Sequence, residues 1–178
     1  MSFSLPKDFK PSALAPTGEE LDWMYNILQP YKERVHSVLE FGCGVTTWAV
    51  WSSVEPESYV SIENFQSCID QVNHFLPQVE IHTDRWADFT RLYKYDFVLV
   101  DGSTGFGPKD RSGVFRYEAI LFAEQFMNPE ALVMLHDHDR RGRIGGYKKA
   151  RGYLEDNYDC LDSFSHRSGV GLYSKRSD

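Results

Sequence analysis

Two groups of residues in this sequence have types and spacings that could do chemistry. The first lies in VHSVLEFGCGVTTWAVWSS, residues 35–53, where Glu40 stands two positions ahead of Gly42 and Gly44 follows across Cys43. A G-x-G turn between an apolar run and a helix-like segment lets the backbone bend sharply and brings a helix N-terminus up to a ligand. The third glycine of a dinucleotide fingerprint is missing, because Thr47 occupies its place. Glu40 beside a pyrophosphate would also set like charges about 5 Å apart, costing on the order of 3 kcal/mol at an effective dielectric near 20. A turn that carries this carboxylate suits a ligand with a cationic group instead.

Glu63 sharpens that choice. It ends YVSIE, 23 positions after Glu40, close to the ~20-residue spacing of an acid that binds ribose hydroxyls. S-adenosylmethionine carries an ammonium, a sulfonium and a ribose, and so answers both acids. The second group consists of Asp101 in VLVDGS and of His136, Asp137, His138 and Asp139 in MLHDHDR. Ionisable groups at this density fit acceptor activation in two ways. Carboxylates can hold a divalent cation that acidifies a hydroxyl, or His136 or His138 can act as general base with Asp101 orienting the base or the acceptor.

These groups need a sheet to position them. Short apolar runs occur at VLEF (38–41), YVSIE (59–63), VEIHT (79–83), FVLV (97–100) and ALVMLH (131–136). Segments long enough for crossover helices separate them, which predicts a parallel sheet covered on both faces and an α/β fold. The final segment, YDCLDSFSHRSGVGLYSKR, reads as two strands around a Ser/Gly turn, a hairpin that adds an antiparallel strand. Near the start, Thr17 and Glu20 form a capping box for a helix whose Leu21, Met24, Leu28, Tyr31 and Val35 recur at helical spacing until Pro30 splits it. Residues 1–16 read as an irregular arm before a single domain spanning 1–178.

Composition narrows the function classes. A chain of 178 residues with 42% hydrophobic and 25% charged residues buries roughly 70% of its unfolded surface as one domain. It holds no apolar run of the ~20 residues a membrane span needs, and its opening lacks the basic and apolar regions of a secretory signal. A cytoplasmic protein is expected. Cys43, Cys68 and Cys160 lack metal-ligand spacing and are odd in number, so reduced thiols are expected. The net charge of -7 disfavours a nucleic-acid partner; a small-molecule acceptor is favoured.

From residue 35 to 175 the chain resembles the class I S-adenosylmethionine-dependent methyltransferases. LEFGCGVTT looks like their first motif, SIE their second, YDFVLVDGS their fourth-strand motif and GVGLYSK their last antiparallel strand. The resemblance implies a Rossmann-like three-layer sandwich with strand order 3-2-1-4-5-7-6. It also implies cofactor contacts from Glu40, Gly42, Cys43, Gly44, Glu63, Asn64 and Asp101, with adenine near Asp84, Trp86, Ala87 and Asp88. The chemistry end is similar to the catechol- and macrocin-type O-methyltransferases, in which acids ending strands four and five hold a divalent cation. Asp101 and Asp137 match those acids, while His138 replaces an amide and shifts the expected metal from Mg²⁺ toward Mn²⁺ or none.

DGSTGFGPKDRSGVFRYEAI with HDHDRRGR is similar to the methyltransferases of plant glucuronoxylan. Arg111, Arg116, Arg140, Arg141 and Arg143 could gather an anionic or sugar-like acceptor, with Tyr117 and Glu118 on the same helix as Arg116. O-methylation of such an acceptor is the leading expectation, with a homodimer completing a pocket that has no inserted lid. A non-catalytic binding protein of the same fold and a nicotinamide-dependent oxidoreductase are the alternatives.

Overall fold

A computed structural model describes residues 3–11, 16–83, 93–102, 114–137, 145–165 and 169–176. After the arm comes helix α1 (Gly18–Leu28), opened by the capping box: the Thr17 backbone N–H donates to Glu20 Oε2 at 2.7 Å and the Glu20 N–H donates to Thr17 Oγ1 at 3.2 Å. Pro30 ends it as expected, inside a 3₁₀ turn at Gln29–Tyr31. There follow β1 (Ser37–Phe41), α2 (Val45–Val54), β2 (Ser58–Ile62), α3 (Gln66–Phe75), β3 (Glu80–His82), β4 (Tyr95–Val100), α4 (Val114–Ala123), β5 (Met127–His136), α5 (Gly145–Asn157), β6 (Tyr158–Phe164) and β7 (Val170–Lys175).

The strands form one seven-stranded sheet in the order β3-β2-β1-β4-β5-β7-β6. Strands β1 to β5 pair in parallel, and β7 enters antiparallel between β5 and β6. This is the Rossmann-like order and the terminal hairpin that the resemblance implies. Apolar side chains alternate between the faces, so each central strand feeds two cores. Val38, Phe97 and Leu99 pack with Met24, Leu28, Ala49, Val50 and Val72 from α1, α2 and α3. Leu39, Val98 and Val100 pack with Ala119, Ile120, Ala150 and Leu154 from α4 and α5.

Strand β5 starts four residues earlier than its apolar run suggested. The added residues include Pro129, and the register against β4 shifts between Tyr95 and Phe97; such an irregularity accommodates a proline that cannot donate to the ladder. The arm is more ordered in its packing than its composition indicated: Phe9 is buried, with its ring 5.4 Å from that of Phe75, and the Lys10 N–H donates to Gln71 Oε1 at 2.9 Å. Among the described residues no helix is long and apolar enough to cross a membrane.

Candidate active site

The carboxyl ends of β1, β2, β4 and β5 meet at one cleft of about 440 Å³, within the range of small-molecule sites. Its floor is the turn after β1. Gly42 has φ +96° and donates to Ile62 O at 3.0 Å, while Phe41 O accepts from Asp101 N at 3.0 Å and from Gly102 N at 2.6 Å. A Cβ on Gly42 would lie 2.4 Å from Gly102 Cα, so both the conformation and the close approach require glycine there. Gly44 differs. Its backbone is extended, and among the described residues a Cβ would meet no atom within 4 Å beyond its chain neighbours, although the residue lines the cleft. The space beside Gly44 is therefore open to a ligand, not needed by the fold.

Glu40 lies beneath this turn. It is fully buried and outside the cleft lining; Thr47 Oγ1 donates to its carboxylate at 2.8 Å and itself accepts from Gly44 N at 2.8 Å. Burial pushes the Glu40 carboxyl well above its usual range, against the opposing bond from Thr47. The expected direct contact between Glu40 and a cationic ligand is thus corrected. Its structural task is to hold Thr47, which holds the glycine turn.

Glu63, just past β2, does line the cleft and is 9% exposed. Its Oε1 accepts from Asn64 N at 2.6 Å and Phe65 N at 2.8 Å, and its own N–H donates to His82 O at 3.0 Å. Burial raises its carboxyl, with backbone bonds from Phe65, Asn64 and Cys43 working against that rise. All of these partners are backbone N–H groups, and Glu63 still faces the cleft, where it can accept from a ligand's hydroxyls. The Asn64 side chain is exposed and outside the cleft lining; Asn64 contributes through its backbone. Cys43 and Cys68 line the wall as thiols, both pushed up by burial and so poor nucleophiles.

On the other side Asp101, His136 and Asp137 come together around Arg116. Asp101 Oδ1 lies 2.5 Å from His136 Nδ1, an ion-pair contact at the cleft edge. His136 is 3% exposed and lines the cleft, and its Nε2 is buried without a hydrogen-bond partner among the described residues. Burial alone would raise the Asp101 carboxyl, but the charges of His136 and Arg116 hold it below its ordinary value. Burial alone would lower the His136 imidazole, but Asp101 and then Asp137 raise it.

Arg116 on α4 is only 1% exposed. Its Nη2 donates to Asp137 Oδ2 at 2.6 Å and to Asp101 O at 2.8 Å, and its Nε donates to His136 O at 3.2 Å. Asp137 sits at φ +61°, a left-handed conformation that aspartate tolerates better than most residues.

No family model matches the chain, and no curated protein sequence does. Solved structures do. An O-methyltransferase from Streptomyces achromogenes, TomG, involved in tomaymycin synthesis and crystallised with S-adenosylmethionine, superposes with a TM-score of 0.66 at 17% identity, covering 92% of this chain and 82% of its own. An O-methyltransferase from Bacillus cereus in complex with S-adenosylhomocysteine gives 0.68 at 11% identity over 93% and 84%. The N-methyltransferase NodS from Bradyrhizobium japonicum, also with S-adenosylhomocysteine, gives 0.67 at 12% over 93% and 90%. The chain has the class I methyltransferase fold. Because that fold serves both an O- and an N-methyltransferase here, it leaves the acceptor atom open.

Within the methyltransferase fold three expectations need correction. Arg116 lines the cleft but turns Nη2 and Nε inward, to Asp137 and two carbonyls, and so is not simply an outward acceptor-binding arginine. Tyr117 turns to α5, its ring 5.5 Å from that of Tyr153 and 3.9 Å from Lys149 Nζ, and is not part of the cleft lining. The Asp101 and Asp137 pair does not fit a divalent metal, because Asp137 is held by Arg116 and Asp101 by His136. His138, Asp139, Trp86, Asp84, Ala87, Asp88, Arg111, Arg140, Arg141 and Arg143 lie outside the described residues.

Sequence reasoning missed the wall built by Phe9, Lys10 and Pro16 of the arm with Phe65, Cys68 and Gln71 around α3. Phe65 is 48% exposed, an aromatic face offered to the cleft. The signal available was an aromatic directly after SIEN, where a strand-end loop has no packing reason to carry one.

Proposed function

We propose that this protein is an S-adenosylmethionine-dependent methyltransferase acting on a small acceptor, with oxygen the favoured atom. The observation that carries the reading is Glu63: a carboxyl group on backbone N–H donors, at the end of β2, facing a cleft over a glycine turn. Ribose hydroxyls would donate to it, and the open space beside Gly44 would admit the amino-acid end. When bound, the cofactor supplies an electrophilic methyl group.

The chain's part is to place the acceptor in line with that methyl and to take its proton. His136 Nε2 is the group for the proton, being buried, unpartnered among the described residues and at the cleft. Asp101 faces the other ring nitrogen, stabilises the imidazolium that forms, and keeps the ring oriented. An anionic or sugar-like acceptor remains the favoured class on the arginine-rich sequence after Asp139, no longer on Arg116.

Calorimetry with S-adenosylhomocysteine tests the cofactor half. Wild type should bind, and Glu63→Ala should bind roughly tenfold or more weakly, through loss of charge-assisted hydrogen bonds worth ~1.5 to 3 kcal/mol. No heat with the wild type at millimolar ligand, or equal affinity for both proteins, would sink the reading.

A further inference from the structure

The ends of β4 and β5 already contain a cation supplied by the chain. Asp101 and Asp137 follow neighbouring parallel strands, the arrangement in which two carboxylates could share a hard divalent ion. A metal needs their lone pairs aimed at one point. Here Asp137 Oδ2 is 2.6 Å from Arg116 Nη2, in a pair whose side chains are 1% and 8% exposed.

The same guanidinium reaches Asp101 O at 2.8 Å and His136 O at 3.2 Å, so it joins both strand ends and not merely one acid. Swinging it aside for a metal would strip the two strand-end carbonyls of these bonds and break a buried ion pair. Asp101 Oδ1, for its part, is in contact with His136 Nδ1.

We propose that Arg116 is the resident cation of this seat, standing where a divalent metal ion would otherwise be held, so that the Asp101 and Asp137 pair takes up no metal while Arg116 is in place. A guanidinium does this as a planar fork with several donors of fixed direction, which matches one carboxylate and two carbonyls at once. Arg116 is then a positioning residue: it fixes the separation of the β4 and β5 ends and thereby the pose of Asp101 and His136 toward the cleft. The inference draws its chemical meaning from the transferase reading, but its test uses neither cofactor nor acceptor.

The probe is Mn²⁺, followed by the paramagnetic resonance signal of the free ion on titration into the whole protein. Wild type and Asp137→Asn should leave that signal alike, showing no uptake that depends on Asp137. Arg116→Met, which vacates the seat without a charge, should take up about one equivalent and display a bound-ion spectrum, while Arg116→Lys should return to the wild-type result. A merely structural arginine would not create a metal site on removal.

Uptake by wild type that Asp137→Asn abolishes would overturn the proposal, and so would a folded Arg116→Met that binds no Mn²⁺. Should Arg116→Met fail to fold by circular dichroism, the comparison of wild type with Asp137→Asn decides alone. A protein that leaves Mn²⁺ free yet gives no heat with S-adenosylhomocysteine would keep this inference and lose the transferase reading.

Discussion

The two sides of the cleft treat their carboxylates in opposite ways. Beside β1 and β2, Glu40 and Glu63 are held by neutral donors, a threonine hydroxyl and backbone N–H groups, and burial raises both. Beside β4 and β5, Asp101 and Asp137 are matched by an imidazole and a guanidinium, and Asp101 is held down. Glu63, on neutral donors, can still accept from a ligand, whereas an acid on a cation is already compensated. On the first side Glu63, which faces the cleft, is therefore suited to binding, and the second side is suited to holding a fixed geometry around His136.

The largest effect should come from breaking the compensated side. Arg116→Ala breaks the buried ion pair with Asp137 and the bonds to two strand-end carbonyls, and should lower the unfolding free energy by ~3 to 5 kcal/mol. Glu63→Gln should lower it by only ~1 kcal/mol or less, because an amide oxygen can still accept from Asn64 and Phe65. Urea denaturation of the two variants measures both. Equal losses would erase the distinction between the sides.

The glycine turn gives the next effect, and it separates fold from ligand. Gly42→Ala meets Gly102 backbone at 2.4 Å with φ at +96°, which should cost roughly 1 to 3 kcal/mol of stability. Gly44→Ala should leave the denaturation midpoint near wild type, since among the described residues its Cβ meets no atom within 4 Å beyond its chain neighbours. It should nonetheless weaken S-adenosylhomocysteine binding roughly tenfold, or ~1.4 kcal/mol, by filling space the ligand needs. Unaltered affinity in Gly44→Ala would mean that nothing binds against that residue.

The smallest effect is a pH dependence, opposite in sign for stability and rate. Asp101 is depressed, so its contribution is present above ~3.9 and is lost as pH falls through its lowered value. His136 is raised, so its contribution is full below ~6.5 and is lost as pH rises through its raised value. The pair should stabilise the fold most between about pH 4 and 6.5, and the stability difference between wild type and His136→Gln should be greatest there. Methyl transfer should instead rise with pH above 6.5, as the raised imidazole loses the proton that blocks Nε2. A rate already at its plateau at pH 6 would remove His136 from the role of base.

Much of the architecture was legible because burial on both faces leaves a signature in one dimension. VLEF, YVSIE and FVLV are continuous apolar runs for that reason, and Thr17 with Glu20 announces a helix through local hydrogen bonds alone. Strand ends were legible too, which put Glu40, Glu63, Asp101, His136 and Asp137 near one edge. The start of β5 at Met127 was not legible, because it rests on pairing with β4 across a register shift and not on an apolar run.

What the chain order alone determined is which residue types stand at which strand ends, since that follows from local pattern. What only the tertiary structure decided is the partner of each. Arg116 and Asp137 are 21 residues apart and meet because α4 packs beside the ends of β4 and β5. The same packing turned a presumed acceptor-binding arginine into an internal strut. Glu40 went under the turn instead of into the cleft because β1 directs it to the same face as Val38, where α2 and its Thr47 wait. The charge state and availability of a side chain depend on burial and on neighbours distant in sequence, and no local spacing encodes them.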